Sequence, residues 1–202
     1  DGSNWIQLGQ QLDVVTSGTY KPSIAVHGTN DIYVAWAEAT SQVTSNVYVK
    51  HWNGSNWTQL GGRVNLIEDA LTSQLELKLD ASGNPVIVWD EETSEQYSNV
   101  YVKRWSSGNW NLVGSALDVD INRNAWLPSL AIDSNDQPVV AFNEFQVSGT
   151  DSYLFVKRWN GNDWVQIGSS VDVAAPTSIV LDAGNNPYVA IDGGVSYTTY
   201  VK

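Results

Sequence analysis

Val47 to Gly61 reads VYVKHWNGSNWTQLG, and the stretch returns nearly letter for letter as VYVKRWSSGNWNLVG at Val100 to Gly114 and LFVKRWNGNDWVQIG at Leu154 to Gly168. A fourth copy is divided between the two ends of the chain. Thr199 to Lys202 (TYVK) carries its first letters and Asp1 to Gly9 (DGSNWIQLG) its last. Repetition at a fixed period is read before any single residue, because a repeated residue first serves the repeated unit. The divided copy predicts that a strand from each terminus belongs to one hairpin.

Each copy is preceded by two further apolar runs. These are Pro22–His27 (PSIAVH) with Ile32–Ala37 (IYVAWA), Leu75–Asp80 (LELKLD) with Pro85–Asp90 (PVIVWD), Pro128–Asp133 (PSLAID) with Pro138–Asn143 (PVVAFN), and Thr177–Asp182 (TSIVLD) with Pro187–Asp192 (PYVAID). Period-two alternation and turn residues such as Asn53-Gly54 between apolar runs are strand and hairpin signals. Trp5, Trp57, Trp110 and Trp164 mark a period of about fifty residues, and no useful helical periodicity appears. Four short antiparallel strands per unit, with an aromatic signature, resemble the blade of a β-propeller. The predicted class is therefore all-β: one domain, 1–202, of four blades at about 22–61, 75–114, 128–168, and 177–202 with 1–9. Its ring is expected to close where the N-terminal strand pairs with the C-terminal one, which hides the edges of an open array. The alternative is half of a larger ring made by two chains; closure within one chain needs no second copy.

The resemblance to β-propeller repeat proteins covers the whole chain. The W-N-G-x-x-W-x-x-L-G hairpin is similar to repeats in secreted bacterial propellers and, loosely, to the tryptophan-rich repeats of propeller lectins. That class hosts many unrelated functions, so activity must be read from particular residues.

A formal charge of −12 with only ten Lys and Arg opposes binding to nucleic acid or anionic membrane surfaces. No apolar run is long enough to span a bilayer. The chain has no cysteine, which excludes disulfides and thiolate metal sites. The acidic, Asn/Gly/Ser/Thr-rich composition and the absence of methionine fit a processed product of a secreted or cell-surface protein. Asn53 and Asn56 open N-G-S and N-W-T sequons.

The repeated tryptophans are expected to fill the gaps between blades, where each aromatic removes about 150–250 Å² from water. Lys50, Lys103, Lys157 and Lys202 are expected to lay their stems on aromatic rings with the ammonium in water. Asp80, Asp133 and Asp182 precede Gly/Asn turns and are expected to cap them. Calcium is conceivable, but no turn has the dense oxygen ligands of a calcium loop, and no cofactor is expected.

Loops after second strands and between blades should gather on one face. They carry Glu91 and Glu144 among many carboxylates, with Tyr20, Tyr97, Arg123, Trp126 and Phe145 as candidate ligand-binding residues. Glu76 and Lys78 break the repeat on an inner strand and are expected to pair beside the central channel. His27 and His51 are expected at opposite ends of their blade, and no nucleophile elbow, phosphate loop or sialidase turn motif is present. The expectation is a non-catalytic extracellular module that recognises a glycan or protein. A structural unit assembling with copies of itself is the alternative, and a glycoside hydrolase-like enzyme the remote one, since two carboxylates suffice for that chemistry.

Overall fold

The computed structural model describes residues 4–14, 18–92, 97–146, 151–172, 177–192 and 199–201. The described secondary structure is all strand: β1 Thr19–Val26, β2 Ile32–Ala39, β3 Ser45–Trp52, β4 Trp57–Gln59, β5 Leu75–Leu79, β6 Pro85–Glu92, β7 Ser98–Ser106, β8 Asn109–Leu112, β9 Asn124–Ile132, β10 Pro138–Phe145, β11 Ser152–Trp159, β12 Trp164–Gln166, β13 Val171–Asp172, β14 Thr177–Leu181, β15 Pro187–Asp192 and β16 Thr199–Val201. They form four antiparallel sheets in the order β1-β2-β3-β4, β5-β6-β7-β8, β9-β10-β11-β12 and β14-β15-β16, with β13 pairing on β11. Each sheet is one blade, and the fourth holds three strands where the repeat predicts four.

Alternation decides which residues enter the core. Odd-numbered Val47, Val49, Leu75, Leu77, Ile87 and Trp89 fill the junction of blades 1 and 2. Even-numbered Val86, Val88, Val100 and Val102 of the same blade 2 face the other way, onto Leu130, Val140 and Phe142 of blade 3. Ala131, Val139, Ala141 and Leu154 then meet Ile179, Val189 and Ile191 of blade 4. Blades 2 and 3 are thus apolar on both faces, as a sheet stacked between two others must be. The outer tryptophans latch neighbours: Nε1 of Trp57, Trp110 and Trp164 donates to the carbonyls of Leu8, Leu60 and Val113 at 2.8, 2.8 and 2.9 Å. Gly61 and Gly114, both at positive φ, lie against these ring pairs, where a Cβ would come within about 3 Å of tryptophan atoms.

Two expectations are corrected. The inner strands of blades 1 and 3 start earlier than their prolines, at Thr19 and Asn124, because bulges with positive φ at Lys21 and Leu127 let the chain turn and keep pairing. The ring closure is not observed. Among the described residues β16 pairs with β15 alone, and Asn4–Leu8 form no strand. The remainder of the expected closing hairpin (1–3, 193–198, 202) lies outside the described residues.

Candidate functional site

Connections after second strands and between blades leave the same end of the sheets, so the expected loop face exists. Its conspicuous carboxylates, however, do not face solvent. Glu38, Glu91 and Glu144 are fully buried and hold the incoming loop of their own blade. Glu38 accepts from Val14 N at 2.9 Å and Trp36 Nε1 at 3.1 Å; Glu91 from Leu66 N and Trp89 Nε1, both at 2.9 Å; Glu144 from Val119 N. The same loop segment is gripped from its carbonyl side. Lys50 and Lys157 Nζ donate to Leu12 and Leu117 O at 2.6 Å, and Lys103 donates to Val64 O. Each ammonium stands 5.6–5.9 Å from the ring centroid of Trp36, Trp89 or Phe142. The expectation of water-facing lysines is corrected: burial lowers the pKa of Lys103 and Lys157 and raises that of Glu91 and Glu144. Residues proposed as ligand contacts, Glu91 and Glu144, are fasteners, since a carboxylate enclosed by its own loop has no face for a sugar.

Asp90 is likewise internal. It accepts from Ser73 N, Ser73 Oγ, Gln74 N and Leu127 N at 2.6–3.2 Å, stapling blade 2 to blade 3, and burial raises its pKa. At the opposite end of the sheets, Asp80, Asp133 and Asp182 cap their turns, each taking two backbone N–H groups at 2.8–3.0 Å.

Blade 3 brings together what the other blades do not. Trp126 packs against Phe145 with centroids 4.6 Å apart and the rings tilted at 45°, and the Arg123 guanidinium lies 5.2 Å from the Tyr153 ring. Arg123 Nε is 3.5 Å from Asp120 Oδ2. Arg123 Nη1 and Trp126 Nε1 are buried and find no acceptor among the described residues. Asp120 is exposed, and the Asn122 backbone N–H, with Arg123 beside it, holds its carboxyl below the usual range. Two enclosed donors without acceptors among the described residues, two aromatic rings and one carboxylate therefore gather at one end of blade 3.

Tyr20 and Tyr97 do not join this group. Tyr20 packs into the junction of blades 1 and 2, at the register place opposite Ala37 that Trp126 holds opposite Asn143. Tyr97 is half-buried next to Ser98, whose N–H is taken by Asn124 Oδ1 at 2.7 Å. Glu76 and Lys78 pair as expected, at 2.7 Å, and Glu76 also accepts from Ser129 Oγ and Leu130 N at 2.9 and 2.7 Å. Lys78 lines a wide, open cavity of about 460 Å³ bordered by the inner strands of all four blades, including Ile24, Val26 and Val180. Asn53 and Asn56 are exposed in the hairpin at the far end, with Asn53 Oδ1 taking the Ser55 and Asn56 N–H groups at 3.0 Å.

The two histidines converge, contrary to expectation. His51 Nε2 bonds Asp31 Oδ1, His27 Nδ1 lies 3.3 Å from Asp31 Oδ2, and Tyr33 stacks on His51 at 4.4 Å. β3 runs antiparallel to β2, so its last turn meets the turn that follows β1. Burial and the adjacent Asp31 push the Tyr33 phenol up to about 12. Among the described residues no cluster of three or more His, Asp or Glu is placed to hold a metal ion.

No protein-family model and no curated protein matches the chain. Solved structures do. The chain is similar to the endo-arabinase of Bacteroides thetaiotaomicron (TM-score 0.54, 14% identity, 90% of this chain and 72% of that one). It is similar to the α-L-arabinanase of Penicillium chrysogenum complexed with arabinobiose (0.58, 12%, 91% and 61%) and to a polysaccharide lyase, an ulvan lyase (0.60, 14%, 91% and 50%). The chain thus spans from half to under three quarters of those structures' lengths. At such identities the likeness is one of fold, and it establishes a propeller-type architecture. It also corrects the expectation of a non-catalytic module. Arabinanases and a lyase share this fold, so the lack of a nucleophile elbow or histidine pair in the sequence was no ground for excluding catalysis.

Proposed function

We propose that this chain is a carbohydrate-active propeller that acts on a polysaccharide, with the sugar seated on the blade 3 loop. The observation that carries the reading is the pair of enclosed donors, Arg123 Nη1 and Trp126 Nε1, without acceptors among the described residues. A buried donor left unpaired costs about 1–3 kcal/mol, and ligand oxygens would remove that cost. Trp126 and Phe145 offer aromatic surface to a sugar ring, and Arg123 suits a hydroxyl pair or a uronate carboxylate. Asp120, beside Arg123, adds a carboxylate at the edge of the same patch. The arabinobiose-bound and ulvan-cleaving neighbours support carbohydrate as the ligand class.

The test is a turnover screen on neutral arabinans and on uronate-containing polysaccharides. Reducing ends report hydrolysis, and the ultraviolet absorbance of an unsaturated product reports elimination. Turnover that falls at least tenfold in Asp120→Asn and Arg123→Ala, with melting temperature unchanged, is the expected result. Absence of product from every polymer, or full activity in both variants, would refute the reading.

A further inference from the structure

Three blade junctions in this molecule are closed and the fourth is open, and the repeat says what the open one lacks. At each closed junction a side-chain oxygen on the inner strand of one blade accepts the N–H of the next inner strand. Ser23 Oγ takes Leu77 N at 2.9 Å, Glu76 Oε2 takes Leu130 N at 2.7 Å, and Ser129 Oγ takes Ile179 N at 3.2 Å. The next member of the series is Ser178, and the next N–H is that of Ile24. Apolar side chains obey the same rule: Leu77 and Leu130 are buried by the preceding blade, and Val86 is buried by the following one. Their counterparts at the open seam are Ile24 and Val26, 66% and 56% exposed on blade 1, and Val180 and Tyr188, 61% and 45% exposed on blade 4. These are two apolar sheet faces in water, each the shape of a partner the chain already contains.

The N-terminal segment shows which partner blade 1 is built for. Leu8 O accepts from Trp57 Nε1, Leu12 O from Lys50 Nζ, and Val14 N–H is held by Glu38. Leu60, Val64 and Leu66 are held identically by Trp110, Lys103 and Glu91. Residues 4–14 therefore lie against blade 1 as the outer strand and exit loop of a preceding blade, but the inner strands of that blade are missing beside them. Blade 4 is three-stranded, and β16 has no neighbour on its outer side among the described residues.

We propose that the open seam is completed by a second copy of this chain, joined head to tail. Blade 4 of one copy packs on blade 1 of the other, Ser178 Oγ accepts from the partner's first-blade N–H, and β16 pairs with the partner's Asn4–Leu8 segment. Two such seams related by a two-fold axis give a ring without open faces. A heterologous contact of this kind continues an interface the molecule already makes three times. It is independent of the carbohydrate reading, whose site lies in blade 3.

Light scattering on the purified full chain should give twice the mass of one chain. Val180→Glu and Ile24→Glu should each weaken the association by roughly tenfold to hundredfold without unfolding the blades, as judged by circular dichroism. A monomeric wild-type chain would overturn the proposal. Because the sequence has no cysteine, Ser178→Cys combined with Ile24→Cys separates the two ways of closing the seam. An oxidised product of two-chain mass supports the proposal, and a disulfide within one chain overturns it.

Discussion

The loop fastener and the blade 3 patch use the same residue types to opposite ends. In the fastener, an aromatic ring, a lysine and a glutamate grip a backbone segment, and the arrangement occurs three times: Trp36, Lys50 and Glu38; Trp89, Lys103 and Glu91; Phe142, Lys157 and Glu144. In the patch, Trp126, Arg123 and Asp120 occur together once, and two of their donors are enclosed without an acceptor among the described residues. Charge and aromaticity alone do not separate structural from functional sites in a repeat protein. Repetition does, since a group that recurs in blade after blade serves the blade.

The largest effect expected from this contrast follows removal of a fastener. Glu91→Ala leaves Leu66 N–H and Trp89 Nε1 without their acceptor in the interior. Two orphaned donors cost about 3 kcal/mol together, which for a chain of this size lowers the melting temperature by roughly 10 °C. Thermal unfolding monitored by circular dichroism measures it. A shift within about 2 °C would mean that the incoming loop is held by packing, and the fastener would lose its standing as a structural device.

Trp126→Phe in the patch should behave in the reverse way. The ring contact with Phe145 is largely kept, and the lost Nε1 bonds nothing among the described residues, so stability should change by less than about 1 kcal/mol. Polysaccharide turnover should fall by about tenfold through the loss of one donor to the ligand. A melting shift as large as that of Glu91→Ala would move Trp126 into the structural class and erase the contrast.

Much of this architecture was legible in the sequence because the signals were local. Alternation and the fifty-residue period located the four strands of blades 1 to 3 and three of blade 4, and the turns after Asp80, Asp133 and Asp182 declared their own caps. The Glu76–Lys78 pair could be read because it broke a pattern. The fastener was missed for a physical reason: Lys103 and Val64 lie far apart in sequence, and nothing local tells a lysine stem on a ring from an ammonium seated on a carbonyl. A signal did exist in the recurring Leu12-Asp13-Val14, Val64-Asn65-Leu66 and Leu117-Asp118-Val119 triplets. The equivalence of Tyr20 and Trp126 was also available, since TYKPSIAV and AWLPSLAI align from end to end. His27 and His51 came together through a turn whose geometry the pattern of apolar residues does not specify. The open seam could not be anticipated either. Divided repeats imply that the missing strand is supplied, and they are silent on which molecule supplies it.

The smallest expected effect is that of pH, and its sign separates the interior carboxylates from the exposed one. Burial raises Asp90, Glu91 and Glu144 above their ordinary values, so at these sites the folded chain binds protons more readily than the unfolded one. Their contribution to stability is fully present below the unfolded carboxylate range and is lost as pH rises through the raised native values. Asp120 and Asp182 shift the other way, but both are exposed and solvent screens them. Lowering the pH from about 7 to about 5 should therefore raise the melting temperature by a few degrees, helped by relief of the −12 net charge. A Glu91→Gln variant has one fewer group to protonate and should show a shallower rise. If wild type and variant rose in parallel, the gain would come from net charge alone, and the buried glutamates would be fasteners whose protonation does not affect the fold.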